Sequence, residues 1–145
     1  MVPRFEAAWA ARAGTAHAVA VSSGTAGLHL CLHDLGLGPG DEVVTSSFSF
    51  VASANAIVFT GATPVFAEVD PLTFNMDPEA VEAAITPRTR AILIVDIFGY
   101  PAEVPALVEI AERRGLARVE DACQSIDGDH GGRRLGTFGH PAVYG

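Results

Sequence analysis

The chain has 145 residues, 49% of them hydrophobic, and a formal net charge of -8. This composition predicts one globular domain, and acidic charge that is spread along the chain, with no cluster of basic residues, argues against nucleic-acid binding. No apolar run reaches the ~20 residues of a membrane span and no signal-peptide pattern opens the chain, so we expect a cytoplasmic protein without membrane contact.

Short apolar runs alternate along the chain with segments of helical periodicity, a pattern typical of an α/β fold. The predicted elements are helix 5–12, strand 18–21, helix 26–35, strand 42–45, helix 50–59, strand 63–68, helix 78–85, strand 91–95, helix 103–114, strand 116–120, and short strands near 133–135 and 142–144. Because strand–helix–strand connections are right-handed, this order predicts a mainly parallel (mixed) sheet flanked by helices, with strand 91–95 in its middle.

Residues 22–26 (Ser-Ser-Gly-Thr-Ala) lie between the predicted strand 18–21 and the helix that follows it. The free amides at a helix N-terminus and the positive end of the helix dipole favour an anion, and Gly24 allows a phosphate to approach the backbone. An ordinary N-cap explains the same residues, and on this segment alone capping is the commoner role. A Walker loop is excluded because its spacing and its lysine are both missing.

Two acidic residues, Glu120 and Asp121, end the predicted strand 116–120. Ligands bind at the carboxyl ends of parallel strands, so a carboxylate here can pair with the protonated ring nitrogen of a ligand, or it can simply cap the next turn. Segment 46–55, which opens a helix after strand 42–45, contains Phe48 and Phe50, and an aromatic ring here can stack on a flat heterocycle or belong to the core. The residues alone leave both pairs of alternatives open.

Several other kinds of site lack their sequence motifs. The five histidines form no set of metal ligands, and the chain has neither a GxSxG hydrolase motif nor a GxGxxG dinucleotide motif after a strand. Cys31 and Cys123 lie in apolar segments without a CxxC pattern, so we expect two buried thiols. All nine basic residues are arginine, so no Schiff base to a lysine can form within these 145 residues.

Taken in order, these segments resemble the DegT/DnrJ/StrS family of sugar aminotransferases, which depend on pyridoxal 5'-phosphate (PLP) and have the fold type I architecture. The resemblance covers nearly the whole chain, and the joint order of its motifs is specific. The matching segments are Ser-Gly-Thr-Ala at 23–26, Gly-Pro-Gly-Asp-Glu-Val at 38–43, Ala-Asn-Ala-Ile at 54–57, Gly-Ala-Thr-Pro-Val-Phe at 61–66, Asp70, Thr-Phe-Asn-Met-Asp-Pro at 73–78, Ile-Thr-Pro-Arg-Thr-Arg-Ala-Ile at 85–92, Phe-Gly at 98–99 and Glu-Asp-Ala-Cys-Gln at 120–124.

The resemblance implies a PLP site and a reaction. Its cofactor-binding residues would be Gly24, Thr25 and Ala26 at the phosphate, Phe50 stacked on the pyridine ring, Asp121 at the ring nitrogen and Gln124 beside the ring hydroxyl. In this family an amino acid, usually glutamate, leaves its amine on the cofactor, which then aminates a keto group of a nucleotide-linked sugar. Homodimers, in which the partner subunit adds loops to the site, are also implied.

Three positions depart from the family pattern, and they bear on the identity of the substrate more than on the fold. Asp96 stands where the family often has His, Cys123 where Ala is common, and His140-Pro141 where Asp-Ala is frequent. No metal site is expected.

In the family, the lysine that holds PLP follows soon after the stretch matched by residues 142–144. We therefore expect residues 1–145 to be a partial, truncated large PLP-binding domain, with the catalytic lysine and the small C-terminal domain beyond it. Two alternatives remain: a lysine-less binding or structural remnant without activity, and a fragment of a PLP-dependent sugar dehydratase of the same family, in which histidine replaces the lysine.

Overall fold

A computed structural model describes residues 1–138 and 141–145, so the predicted departure at His140 lies outside the described residues. Helices and strands alternate over residues 24–121, as the sequence predicts. In chain order the elements are α1 (Val2–Ala13), α2 (Gly24–Asp34), β1 (Glu42–Ser46), α3 (Ala52–Phe59), β2 (Thr63–Ala67), α4 (Pro78–Ala84), β3 (Thr89–Val95), α5 (Val104–Arg114), β4 (Ala117–Asp121), β5 (Asp129–His130), β6 (Arg133–Arg134) and β7 (Ala142–Val143).

Five of these strands form one sheet in the order β2-β1-β3-β4-β7, and every neighbouring pair is parallel. The run of apolar residues in β3 predicts a strand that is covered on both faces. It occupies the central position, and Ile92 and Leu93, which face opposite sides, are both 0% exposed. The prediction of an α/β fold with a mainly parallel sheet flanked by helices is confirmed.

The helices cover the two faces of the sheet and close a separate core on each. Helices α2 and α3 pack on one face, where Leu28 and Ile57 are fully buried among residues of β1, β3 and β4. Helices α4 and α5 pack on the other face through Val81 and Leu107. Burying each side chain of this size contributes about 1.5–3 kcal/mol, so these two cores fix the sheet between its helices.

Local sequence signals set the helix ends. Asp77 precedes α4, and its carboxylate accepts a hydrogen bond from the Glu79 amide at 3.0 Å. Gly115 ends α5 in the left-handed conformation, with φ 66°, which glycine adopts without strain. Within residues 1–138 and 141–145, no helix is both long enough and apolar enough to cross a bilayer.

The strand predicted for residues 18–21 is wrong. The segment has no regular secondary structure, no strand of the described residues pairs with it, and Val19 is 78% exposed. The Ala20 amide instead donates to the Glu6 carboxylate of α1 at 2.9 Å. Apolar composition alone therefore predicted a strand for which residues 1–138 and 141–145 supply no neighbour.

A two-residue turn near the end of the chain produces a hairpin that the sequence predicts only in part. Strand β6 falls within the predicted short strand 133–135, but its partner β5 was not predicted, because Asp and His have low strand propensity. Gly131 and Gly132 join the two strands with φ 62° and 85°, the conformation that a tight hairpin turn requires.

Candidate functional site

The carboxyl ends of β1, β3 and β4 lie at one edge of the sheet, and the N-terminus of α2 comes to the same edge. A Cβ atom added to Gly24 would lie 2.7 Å from Cys123 Sγ, so the first turn of α2 touches the segment that follows β4. Asp121 is two residues from Cys123, a span of at most about 7 Å. The two motifs that the sequence singles out are thus brought together.

The first turn of α2 has a capping hydrogen bond from its N-cap residue and two amides without a partner. Ser23 Oγ accepts a hydrogen bond from the Ala26 amide at 3.2 Å, which is the N-cap that the sequence predicts. Within the described residues the amides of Gly24 and Thr25 have no partner. These two N–H groups, at the positive end of the dipole of an 11-residue helix, are available to an anion.

Asp121 is held in place by two hydrogen bonds. Asp121 is buried, with only 7% of the residue exposed. Oδ2 accepts a hydrogen bond from Ser53 Oγ of α3 at 2.8 Å, and Oδ1 accepts one from the Cys123 amide at 3.3 Å. Ser53 Oγ also bonds Ser49 Oγ at 2.8 Å. The carboxylate is therefore oriented before any ligand arrives.

Sequence reasoning missed Ser53. Its signal was a small polar residue at a buried position of a helix whose other buried residues, Ala56 and Ile57, are apolar. A hydroxyl buried among apolar neighbours needs a partner, but the sequence does not show that the partner is Asp121, 68 residues away.

Gln124 fastens the loop that follows β3. Its Oε1 accepts a hydrogen bond from the Phe98 amide at 2.8 Å. On the other side of this loop the buried side chain of Asn75, which the sequence did not single out, donates to the Tyr100 carbonyl at 3.0 Å and accepts from the Ile97 amide at 3.1 Å. The loop beside Asp121 is thereby fixed from both sides.

Phe50 lies just before α3 and is 68% exposed, so it is not the core residue that one sequence interpretation allowed. Its carbonyl accepts a hydrogen bond from the Ser53 amide at 3.1 Å. A different phenylalanine, Phe48, forms an aromatic cluster at this edge, with ring centroids 5.4 Å from Phe74 and 5.9 Å from Phe98. All three rings of this aromatic cluster are exposed.

The family model that describes the DegT/DnrJ/EryC1/StrS aminotransferase family matches residues 1–145. The chain belongs to this family. The resemblance drawn from the motifs is confirmed.

Two curated relatives show what the DegT/DnrJ/EryC1/StrS proteins similar to this chain do. GDP-perosamine synthase of Caulobacter vibrioides is 41% identical over 143 residues, which are 99% of this chain and 38% of that protein. The dTDP-3-amino-3,4,6-trideoxy-alpha-D-glucose transaminase of Streptomyces venezuelae is 49% identical over 140 residues, 97% of this chain and 37% of that protein. The chain thus spans less than two fifths of the length of these relatives.

Solved structures of the same kind agree with the fold. The crystal structure of 3-amino-5-hydroxybenzoic acid synthase matches with a TM-score of 0.94 at 41% identity, over 97% of this chain and 37% of that chain. The Streptococcus pneumoniae protein Spr1654, solved in its PLP form, matches with a TM-score of 0.89 at 28% identity, over 94% of this chain and 39% of that chain. The architecture is that of fold type I aminotransferases, and PLP is the cofactor of this family.

The departure at Cys123 fills space beside the turn without adding reactivity. The thiol is half-buried, and its Sγ approaches the Val143 carbonyl at 3.8 Å. Burial and the neighbouring carboxylate of Asp121 raise the pKa of Cys123 to about 12. The thiol therefore stays protonated at neutral pH and does not act as a nucleophile.

Proposed function

We propose that these residues form the cofactor-binding part of a PLP-dependent aminotransferase, which moves an amino group from an amino acid such as glutamate to a keto group of a nucleotide-linked sugar. The observation that carries the proposal is the buried, doubly hydrogen-bonded Asp121 beside two open amides of the α2 turn. Family membership supports the reaction type, and the relatives named for amino sugars support the class of acceptor.

The donors at this edge fit PLP. The α2 turn, formed by Gly24, Thr25 and Ala26, holds the phosphate through the open amides of its first two residues and the helix dipole. Asp121 pairs with the protonated ring nitrogen and keeps it charged. The chemistry that the bound cofactor supplies is an electron sink for the bonds at the α-carbon of the amino acid.

Phe50 and Gln124 complete the proposed cofactor site. Exposure of the Phe50 ring at the start of α3 supports its stacking on the pyridine ring. Gln124 lies at the ring hydroxyl, and its Oε1 bond to the Phe98 amide leaves the Nε2 group for that contact. Both side chains orient the ring, whereas Asp121 also tunes its electrons.

We further propose that the whole protein is a cytoplasmic homodimer in which residues 1–145 belong to the large domain and a small domain follows. The exposed aromatic cluster of Phe48, Phe74 and Phe98 supports a partner at this edge, because Phe74 and Phe98 adopt left-handed backbone angles, φ 60° and 55°, that side chains rarely tolerate. The two free cysteines fit a reducing compartment.

Borohydride reduction tests the proposed reaction. Covalent attachment of PLP needs a lysine ε-amine, and all nine basic residues here are arginine. We expect mass spectrometry to find no reduced PLP adduct on any side chain of residues 1–145. The whole protein should carry one adduct on a lysine outside this segment and should aminate a UDP- or dTDP-linked keto-sugar.

Two outcomes would contradict this expectation. An adduct on a side chain within residues 1–145 would remove the assignment of covalent attachment to a later lysine. A whole protein that gains no adduct and removes water from the sugar, without amine transfer, would instead be the dehydratase of the same family.

A further inference from the structure

Two carboxyl groups are buried together on the face of the sheet opposite Asp121. Asp96, directly after β3, is 0% exposed, and Glu120 of β4 is 5% exposed. The Asp96 amide donates to the Asp121 carbonyl at 3.2 Å, and Ile94 is in register with Glu120. Because side chains alternate along a strand, Asp96 and Glu120 share the face covered by α4 and α5.

The hydrogen bonds of this pair do not balance if both groups are ionised. Asp96 Oδ1 accepts from the Ala102 amide at 3.1 Å, but among the described residues its buried Oδ2 has no partner. Glu120 Oε1 accepts from the Gly136 amide, and the register of β3 with β4 places the Glu120 carboxyl on the same face as Asp96, one strand away. Two carboxylates only accept, so a hydrogen bond between these two groups needs one proton.

The surroundings decide which of the two groups holds that proton. Burial raises the pKa of Glu120 as well, but the Gly136 amide and the nearby Arg133 guanidinium favour its charged form. Among the described residues, the Asp96 carboxyl accepts from the Ala102 amide alone. The anion is therefore better placed on Glu120, and the proton on Asp96.

We propose that Asp96 is a protonated acid that donates a hydrogen bond from Oδ2 to the Glu120 carboxylate, and that this pair is a positioning element beside the candidate cofactor site. Through Asp96 Oδ1 it holds the loop that follows β3 at Ala102, and through Glu120 Oε1 it holds the segment after β6 at Gly136. The first of these loops carries the Phe98 amide that binds Gln124. The inference does not depend on the proposed reaction.

Other ionisable groups near the pair favour the same proton. Burial first, then the Glu120 carboxylate, raises the pKa of Asp96 to about 8, and Asp121 behind it acts in the same direction. Burial also raises the pKa of Tyr144 to about 12, with Glu120 and Asp96 adding to the effect, so that phenol stays neutral. The Arg133 guanidinium acts on the pair through Glu120, whose charged form it favours.

The sign of the pH dependence follows from the raised pKa of Asp96. The folded protein binds this proton more tightly than the unfolded chain, whose aspartates have the ordinary pKa of 3.8. Stability from the pair is fully present below that value and is lost as pH rises through about 8, where a second buried carboxylate would form.

Asp96→Asn in the whole protein tests the shared proton. The amide oxygen keeps the Ala102 bond, and Nδ2 donates to Glu120 at every pH. Relative to this variant, the wild-type unfolding constant in urea should rise by up to tenfold per pH unit between about pH 5 and about pH 8. Asp70→Asn is the control. The amides of Thr73 and Leu72 lower the pKa of Asp70, so its charged form stabilises the folded protein, and the asparagine variant should be less stable than wild type at neutral pH.

Carbon-13 NMR of wild-type aspartate carboxyls gives a second readout that needs no folded variant. We expect one buried aspartate to titrate near pH 8, far above the others, and its signal to be absent from Asp96→Asn if that variant folds. An Asp96 carboxyl that titrates below about pH 5 would overturn the proposal. So would an Asp96→Asn protein that is less stable than wild type by the same factor across the whole pH range.

Discussion

Asp121→Asn in the whole protein is expected to lower turnover about 100-fold, with a much smaller change in KM. The substitution removes the charge that we propose to pair with the ring nitrogen, and a hydrogen bond to a charged group contributes about 3 kcal/mol, or two factors of ten. The fold should survive, because asparagine can accept from the Cys123 amide through Oδ1 and donate to Ser53 Oγ through Nδ2. Steady-state kinetics with the amino donor measure the loss.

Ser53→Ala is the matched control for this change. It keeps the Asp121 carboxylate and removes one of the two bonds that orient it, so we expect less than about a tenfold loss of turnover. An Asp121→Asn enzyme as fast as wild type would remove the proposed role of Asp121. Equal losses in the two variants would mean that orientation, and not charge, is what the site needs.

Gly24→Ala is expected to weaken PLP binding about 10- to 100-fold. Gly24 does not have a positive φ, so its backbone tolerates alanine, but the new Cβ would lie 2.7 Å from Cys123 Sγ. The thiol has little room to turn away, since Gly145 and the Val143 carbonyl also surround it. Overpacking of this kind costs about 1–3 kcal/mol and should shift the open amides of the turn. Titration of the whole protein with PLP measures the affinity.

Cys123→Ala tests whether the clash with Cys123 Sγ is what weakens PLP binding in Gly24→Ala. Alone it should bind PLP about as well as wild type, because the thiol is not a proposed ligand. Combined with Gly24→Ala it should restore most of the affinity, because the Sγ atom that meets the new Cβ is gone. A double variant as weak as Gly24→Ala would show that the contact with Cys123 is not the reason for the loss.

The sequence predicted the layered fold because its signals are local. The apolar run at 91–95 is buried as the middle strand. Asp77 caps the start of α4 and Gly115 ends α5, as the sequence predicts. The same reasoning was wrong for residues 18–21, since a strand also requires a neighbour and composition does not contain one. Strand β5 was missed for the converse reason: its pairing comes from the turn at Gly131 and Gly132, not from its own residues.

Within the site, the sequence identified groups but not their connections. It placed Asp121 at a strand end and Gly24 at a helix start, and those positions follow from local pattern. The Ser53 bond to Asp121 joins residues 68 apart, and Asp96 and Glu120 share one face of the sheet only because of strand register. Neither arrangement can be predicted from the sequence alone, because each brings distant residues together only after the sheet has formed.

A crystal structure of the whole protein with PLP bound tests the central claim most directly. We expect the phosphate to accept hydrogen bonds from the amides of Gly24 and Thr25, and the Asp121 carboxylate to contact the ring nitrogen while it keeps its bond from Ser53. PLP with its phosphate bound elsewhere, or with its ring nitrogen away from Asp121, would contradict the assignment of this edge as the cofactor site.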